Sequence, residues 1–372
     1  MYFSKGAKIR LDRDFFFAEL GSVSVTRQGM AKKVTIYDIA REAGVGIGTI
    51  SRVLNNHPSV TPETRSRVIE VAQRLKYQPH TYAQRLARQH SETISAVIPF
   101  FTSYFFMEVL RGVQEKIVEL GYDLVLYGVE RTEQVENYIS KALQRGKVDG
   151  ILFFSMKMPE RVQARLTESN LPVGLVDTLS PGFDSISVAN AEGAYAATTH
   201  LIDLGHRMVG MISAQSISAP ALERLQGYRR ALESQGMQYS ESLVKCGNNT
   251  KLDGFNRDSG YEAMMEFIKM GPEMPKAFFV SSDIQALGAI AALNENGLRI
   301  PEDVALVGFD DIELARHMKL TTMRQPMFQM GVLAIERLVA RMANPKMEIL
   351  HSTFSPTLIV RESCGALTRN KN

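Results

Sequence analysis

Residues 35–54 have the sequence TIYDIAREAGVGIGTISRVL, in which two amphipathic helices flank a short glycine turn. Thr35 followed by Asp38 is typical of a capping box at a helix start. Gly44 is predicted to end the first helix, because glycine readily adopts the left-handed conformation at this position. The apolar positions of each segment follow one helical face: Ile36, Ile39, Ala40 and Ala43, then Ile47, Ile50, Val53 and Leu54.

A third helix is predicted immediately downstream. Thr61 provides its N-cap and Pro62 its first residue, where the missing proline amide costs nothing. Its apolar stripe comprises Val68, Val71, Ala72 and Leu75. Three helices within about forty residues, the first two joined by a glycine turn, are typical of a helix-turn-helix module.

The rest of the chain has the pattern of an α/β protein. Short apolar runs alternate with helical patterns at 94–100, 122–127, 148–154, 173–177, 208–212, 277–281 and 304–309. Such runs, separated by amphipathic helices, indicate parallel strands joined by crossover helices. About 280 residues are too many for one compact sheet, so we expect an α/β core of two parallel-sheet subdomains behind an all-α head.

These patterns predict the division of the chain. We expect a disordered extension at 1–30, the helix-turn-helix domain at 31–79 and a linker at 80–90. The N-terminal subdomain of the core is predicted at 91–190 and 325–350, and the C-terminal subdomain at 191–324 and 351–365, followed by a tail at 366–372.

Charge is distributed unevenly along the sequence. The formal net charge is +3, yet residues 31–90 contain ten Lys and Arg against four Asp and Glu. Residues 1–30 add five bases and three acids, so the 282 residues after position 90 carry a net negative charge. A basic head on an acidic body indicates a polyanionic partner, although a solvated charged surface has the same composition.

Composition bears on the class of protein. Two cysteines in 372 residues are too few for a disulfide framework or a zinc site, so we expect a reducing, cytoplasmic location and no metal. No apolar run approaches the roughly eighteen residues of a membrane span, and we expect no membrane partner. The nucleophile-elbow pattern Gly-x-Ser-x-Gly is absent and no catalytic cluster stands out, so we expect a protein without a cofactor that is not an enzyme.

Several segments resemble the lac repressor family of bacterial transcription regulators. They are 35–45, 49–55, 60–65, 75–79 and 83–87 in the head, and 104–108, 148–151, 199–206, 224–228, 282–288, 307–311 and 320–326 in the core. The resemblance implies a core similar to type I periplasmic binding proteins. It further implies a sequence-specific DNA-binding regulator, a repressor of carbohydrate-related genes, whose operator affinity is controlled by a small-molecule effector.

The resemblance also implies which residues meet DNA. They are Thr35, Ile47, Gly48, Thr49, Ser51, Arg52 and Asn55 in the head, with Ala83 and Leu86 in a hinge helix within 80–90. An α-helix fits the major groove, where Arg52 can hold a guanine or a phosphate. Gly48 departs from the family pattern, because it has no side chain that could contact a base. Ile47 either contacts a thymine methyl group or packs inside the head.

A ligand site is implied between the two subdomains, at the carboxyl ends of the strands. The implied effector contacts are Phe105, Phe106, Asp177, Arg224, Phe255 and Asp283. Carboxylates accept hydrogen bonds from hydroxyl groups and a guanidinium donates them, which suits a sugar or a sugar derivative. Each aromatic residue either stacks on the ligand or packs in the core. Phe100, Ser103 and Tyr104 depart from the aspartate, asparagine and proline usual in the family, which makes this wall of the site more aromatic.

Partners follow from the same resemblance. Two-fold DNA sites match two-fold proteins, so we expect a homodimer on a pseudo-palindromic, double-stranded operator. The alternative is a solute-binding receptor without a regulatory role. Such a receptor would carry an export signal and no basic head, whereas this sequence has a basic head and a poor candidate for a signal peptide.

Replacing Leu86 with alanine tests the implied hinge. A segment this short is marginal as an isolated helix, so we expect residues 81–88 to become helical when two copies pair over DNA and wedge both Leu86 side chains into one base step. Leu86→Ala should lower operator affinity and DNA bending, measured by fluorescence anisotropy and gel mobility, and leave ligand binding unchanged. Amide protons of residues 81–88 already protected from exchange without DNA would contradict this mechanism.

Overall fold

The computed structural model describes residues 34–54, 57–77, 91–99, 101–129, 132–144, 147–155, 158–216 and 218–369. The chain divides at residue 84 into an N-terminal unit, the head, and a C-terminal unit, the core. The extension predicted at 1–30, the linker at 80–90 and the end of the tail lie outside the described residues.

Three helices form the head, as predicted: α1 Ile36–Ala43, α2 Ile47–Leu54 and α3 Pro62–Arg74. Their apolar stripes meet in one small core, in which Ile39, Ile50 and Val68 are completely buried. Burial of this apolar surface holds the short helices together, since isolated helices of this length are marginal in water.

The ends of these helices are set by the predicted capping residues. The Thr35 amide donates to the Asp38 carboxylate over 2.9 Å, which satisfies a free donor at the start of α1. Gly44 ends α1 with a φ of 64°. The Thr61 hydroxyl accepts from the Thr64 amide at the start of α3, with Pro62 as the first helical residue.

The core contains ten further helices and twelve strands within the described ranges. The helices are α4 Tyr104–Leu120, α5 Thr132–Ala142, α6 Glu160–Ser169, α7 Asn190–Asp203, α8 Ala219–Ser234, α9 Arg257–Ile268, α10 Asp283–Glu295, α11 Glu313–His317, α12 Met327–Ala343 and α13 Ala366–Arg369. The strands are β1 Thr93–Ile98, β2 Asp123–Gly128, β3 Gly150–Phe154, β4 Val173–Val176, β5 Asp184–Val188, β6 Val209–Ile212, β7 Val244–Lys245, β8 Ala277–Val280, β9 Ala305–Asp310, β10 Thr321–Arg324, β11 His351–Phe354 and β12 Thr357–Ile359. Short 3-10 turns lie at Glu241–Leu243, Lys251–Gly254, Gly271–Glu273 and Glu362–Cys364.

Two sheets of six strands form the two predicted subdomains. The first has the order β2-β1-β3-β4-β5-β11 and is parallel throughout. The second repeats this plan as β7-β6-β8-β9-β10-β12, with only β12 antiparallel to its neighbour. Helices cover both faces of each sheet, α4 and α12 opposite α5 and α6 in the first, and α7 and α8 opposite α9 and α10 in the second. No helix of the described ranges is long and apolar enough to span a bilayer.

The chain passes between the subdomains three times: at Ala189, at Gln325-Pro326 and at Ser355-Pro356. The first two crossings agree with the predicted boundaries. The third corrects one of them, because residues 351–354 were assigned to the C-terminal subdomain but form β11, which pairs with β5 in the first sheet. This strand is partly exposed and lacks an apolar run, so the sequence pattern did not reveal it.

Two glycines allow helices α4 and α12 to cross at backbone contact. A Cβ atom on Gly331 would lie 2.0 Å from the Val109 carbonyl oxygen, and one on Gly112 would lie 2.0 Å from the Phe328 carbonyl oxygen. Neither contact is sterically allowed. The two helices therefore depend on glycine at both positions for their packing.

Gly331→Ala should destabilise the core by at least about 1–3 kcal/mol, because the obstruction is backbone and the helices must separate. Urea unfolding followed by circular dichroism measures this loss. Gly182→Ala is the matched control, since a Cβ atom there would meet nothing within 4 Å. Equal stability of the two variants would show that the helices slide apart without cost.

Candidate functional site

The first turn of α2 presents a solvent-exposed surface. Ile47 is 42% exposed, whereas Ile50 and Val53, further along the same apolar stripe, are buried in the head. Of the two roles considered for Ile47, packing inside the head is therefore wrong. Thr49 and Ser51 are half-buried and Arg52 is exposed, so residues 47–52 offer accessible side chains of several polarities.

Gly48 and Arg52 form one feature of this surface. A Cβ atom on Gly48 would have a single neighbour, an Arg52 guanidinium nitrogen at 3.7 Å. The Arg52 guanidinium, one helical turn further on, therefore lies beside the position that a side chain at residue 48 would occupy. A cation with five donors stands where the family pattern places a larger polar side chain.

Other basic or polar residues of the head have internal partners. Arg65 donates to the His57 carbonyl over 2.7 Å and to the Val53 carbonyl over 3.3 Å, and so ties α3 to the end of α2. The Thr35 hydroxyl bonds Asp38 over 2.7 Å but is exposed, which leaves it accessible. Asn55, Ala83 and Leu86 lie outside the described residues.

A cavity of about 300 Å³ lies between the two sheets of the core. Several lining residues lie at the ends of strands: Pro99 comes directly after β1, Ser155 after β3 and Asp177 after β4, and Asp310 is the last residue of β9. Helix α8 contributes Arg224. Both sheets therefore present the carboxyl ends of their strands to one space, as expected for open α/β sheets.

Arg224 is the central charge of the cavity, although its side chain is only 6% exposed. Its Nε donates to Asn190 over 2.9 Å, and one terminal nitrogen donates to the Ser281 carbonyl and lies 3.8 Å from Asp310. The guanidinium also lies over the Phe309 ring, 3.9 Å from the ring centre. Burial lowers the pKa of Arg224, and the nearby carboxylates, Asp310 first, oppose that shift.

Two carboxyl groups of the lining titrate close to neutral pH. Burial raises the pKa of Asp177 to about 6, opposed by a hydrogen bond from the Ser155 hydroxyl and by the charge of Arg224. Burial also raises the pKa of Asp310 to about 6, opposed by Arg224 and by Gln325, whose amide donates to it over 2.6 Å. Both groups are ionised at pH 7 at an energetic cost, which a ligand's hydrogen bonds would offset.

The predicted aromatic contacts divide between lining and core. Phe105, Phe106 and Phe255 all border the cavity. Phe106 is nonetheless 6% exposed and packs edge-on against Phe154, so its larger role is in the core of the first subdomain. Phe255 is half-buried, and Arg224 lies 5.5 Å from its ring centre. Ser103 and Tyr104 border the cavity as well, so Tyr104 adds a third aromatic ring beside Phe105 and Phe106, whereas Phe100 lies outside the described residues.

Asp283 requires a correction. Its side chain is completely buried and does not line the cavity; it accepts hydrogen bonds from the Ile312 amide over 3.0 Å and from the Thr322 hydroxyl over 2.6 Å. Burial, together with the neighbouring Asp310, raises its pKa well above the usual range. Asp283 therefore holds the loop after β9 against β10 and supports the site from behind.

Sequence reasoning missed Asp310, although the segment 307–311 had been singled out. The signal that could have found it is its position at the end of an apolar run, the same signal that identified Asp177. Asp253 and Ser282 also line the cavity and were missed, the first because it lies in an irregular loop. Among the described residues, no group of three His, Cys, Asp or Glu is placed to hold a metal ion.

Comparisons with known proteins agree with this architecture. Residues 35–80 match the family model "Bacterial regulatory proteins, lacI family", and residues 198–364 match "Periplasmic binding protein-like domain". Catabolite control protein A of Priestia megaterium is 32% identical over 315 residues, covering 83% of this chain and 92% of the relative. The CelR–cellobiose complex is 31% identical, with a TM-score of 0.66 over 89% of this chain and 99% of that one. The lac repressor dimer bound to operator and the anti-inducer ONPF is 26% identical, with a TM-score of 0.77 over 90% and 99%.

A helix-turn-helix head joined to a core that encloses a ligand cavity defines a DNA-binding transcription regulator controlled by a small molecule. The chain belongs to the lacI family of bacterial regulatory proteins. Its relatives in these comparisons are transcription regulators rather than enzymes.

Asp177→Asn should make the ligand-free protein more stable near neutral pH. The folded pKa of about 6 lies above the unfolded value of about 3.9, so protonation of Asp177 favours folding below about pH 4, and this contribution is lost as the pH rises through 6. At about pH 7.5 the ionised group costs up to about 3 kcal/mol, which asparagine avoids. Urea unfolding at about pH 5 and about pH 7.5 should show the variant's advantage growing with pH.

Asp303→Asn is the control with the opposite sign. Its pKa is lowered to about 2 by hydrogen bonds from Arg299, so its stabilising contribution is fully present at both pH values. The control should therefore lose stability by the same amount at each pH. An Asp177→Asn advantage that does not change between the two pH values would contradict the assigned pKa.

Proposed function

We propose that this regulator is a homodimeric repressor of carbohydrate-related genes, which a sugar or sugar derivative controls by binding in the core cavity. The proposed operator is a pseudo-palindromic DNA duplex, and the proposed location is the cytoplasm, where that DNA is. The observation that carries the proposal is the position of Arg224, a cavity residue bonded directly to one of the segments that connect the subdomains and, through Asp310, linked to a second.

Those bonds offer a route from ligand to subdomain geometry. Arg224 bonds Asn190, which follows the crossing at Ala189, and lies near Asp310, which in turn bonds Gln325 at the second crossing. A ligand that bonds to Arg224 or Asp310 would compete with the hydrogen bonds that these two residues make to Asn190 and Gln325 at the crossings. Binding free energy is then coupled to the angle between the subdomains, as allosteric control requires.

The chemistry of the cavity favours a hydroxylated ligand. Ser103, Ser155 and Ser282 border it together with carboxylates, and Phe105 and Phe255 supply apolar faces on which a sugar ring can stack. The CelR relative was solved with cellobiose, which supports a carbohydrate as the effector class.

A homodimer is supported by an apolar surface on the first subdomain. Val118 of α4 is 72% exposed, and Val125 and Leu126 of the neighbouring edge strand β2 are 37% and 41% exposed. Exposed apolar groups next to a free strand edge favour burial against a second subunit. The structure of the lac repressor dimer on its operator supports the same assembly for this chain.

The proposed DNA contacts centre on Arg52, with Ile47, Gly48, Thr49 and Ser51 beside it on α2 and Thr35 at the start of α1. Arg52→Ala should weaken binding to a duplex selected in vitro by the full chain by about 1–3 kcal/mol, and binding to random duplex much less, if the guanidinium holds a base. Fluorescence anisotropy over a range of salt concentrations measures both affinities and the number of phosphates neutralised.

Arg74→Ala is the matched control, because it removes the same charge from the head at an exposed residue paired with Glu42. It should change the two affinities equally and slightly. Equal losses on both duplexes for Arg52→Ala would reassign Arg52 to the phosphate backbone. An affinity that hardly varies with salt would count against DNA binding by this head.

A further inference from the structure

One wall of the cavity is an irregular loop between β7 and α9. The 3-10 turn Lys251–Gly254 leads through Phe255 to helix α9, and Asp253 and Phe255 both line the cavity. The side-chain amide of the buried Gln285 donates to the Gly254 carbonyl over 3.0 Å, and the backbone amide of Gln215 donates to the Asp253 carbonyl over 2.8 Å. The loop is therefore held in place by the second subdomain before any ligand binds.

The backbone at the centre of this loop is strained. Leu252 and Asp253 both have left-handed conformations, with φ of 54° and 52°. A left-handed residue other than glycine costs of order 1 kcal/mol, and two in succession are unusual outside functional sites. One of the two strained residues, Asp253, lines the cavity.

The Asp253 carboxylate is half-buried, and no described residue donates a hydrogen bond to it. Burial alone raises its pKa, with no cation among the causes of the shift. A buried acceptor that lacks a protein donor is costly, and this cost is recovered when a ligand supplies the donor.

The cations of the cavity do not neutralise this group. Arg224 has its Nε on Asn190 and one terminal nitrogen on the Ser281 carbonyl and near Asp310, and its face covers Phe309. Arg257, the other cation of the described lining, is exposed to solvent, so water screens its charge. Among the described residues, the lining thus contains three carboxylates, Asp177, Asp253 and Asp310, and two guanidinium groups, of which the buried one already donates to Asn190 and to the Ser281 carbonyl.

From this arrangement we infer that Asp253 determines effector specificity: it accepts a hydrogen bond from a hydroxyl or ammonium group of the effector and excludes phosphorylated or carboxylated forms. This inference rests on the proposed function, because it names the charge class of the same effector. A phosphate group in this cavity would meet more carboxylates than guanidinium groups, and the buried guanidinium already donates to protein acceptors.

The test uses the full chain and matched sets of sugars: glucose, glucosamine and glucose 6-phosphate, and cellobiose with its phosphorylated form. Thermal shifts identify binders, and calorimetry gives Kd. The neutral or amino form should bind at least about tenfold more tightly than the phosphorylated form of the same sugar. Asp253→Asn should weaken the neutral or amino form by at least about tenfold and reduce its preference over the phosphorylated form.

Asparagine suits this test because it tolerates the left-handed conformation, so the loop keeps its backbone. The melting temperature without ligand checks that the variant is folded, and Glu241→Gln removes one exposed charge of the same subdomain as a control. A phosphorylated sugar that binds best, or a Kd for Asp253→Asn within twofold of the parent, would overturn the role of Asp253 and leave the proposed function intact. If no sugar of either set shifts the melting temperature, both the role of Asp253 and the carbohydrate proposal fail. DNA binding by the head is tested separately, by the anisotropy measurements.

Discussion

The buried guanidinium of Arg224 is the interaction on which the arrangement of the core depends. A charge removed from water is tolerated only when its donors are satisfied and opposite charge is near, and removing one partner of such a group typically costs about 3–5 kcal/mol. Here Asn190, the Ser281 carbonyl and Asp310 supply those partners. Asn190 follows the crossing at Ala189, Ser281 follows β8, and Asp310 is the last residue of β9. The Arg224 side chain therefore links the ligand cavity to a connection between the subdomains.

The carboxylates around Arg224 are kept at a cost in stability. The pKa values of Asp177 and Asp310 are both raised to about 6 by burial, so keeping these groups ionised near neutral pH costs folding free energy. Binding sites commonly sacrifice stability in this way, because groups already desolvated and oriented need little reorganisation when a ligand arrives. Asp283 differs from these two groups. Its carboxylate accepts hydrogen bonds from the Ile312 amide and the Thr322 hydroxyl, so it stabilises the protein structure and does not face the ligand cavity.

Local patterns accounted for the helices and strands of both units. Capping residues, glycine stops and apolar periodicity act within a few residues, so the three head helices and the main strands were predictable within a few positions. The edge strand β11 was not, since its four residues HSTF lack an apolar run and pair with a strand more than 160 residues earlier. The site was predictable where a residue follows a buried strand, as for Asp177, and uncertain where the backbone is irregular, as for Asp253.

The sequence by itself determined the helix-turn-helix head, the two-sheet core and the family, because these depend on short-range spacing and on motifs that lie close together in the chain. Only the tertiary structure decided that Asp310, and not the predicted Asp283, faces the cavity. Asp283 and Asp310 both lie at carboxyl ends of strands, yet the loop after β9 folds back over Asp283 and leaves Asp310 on the surface of the cavity. Which carboxylate is covered depends on the packing of segments distant in sequence, and no local pattern contains that information.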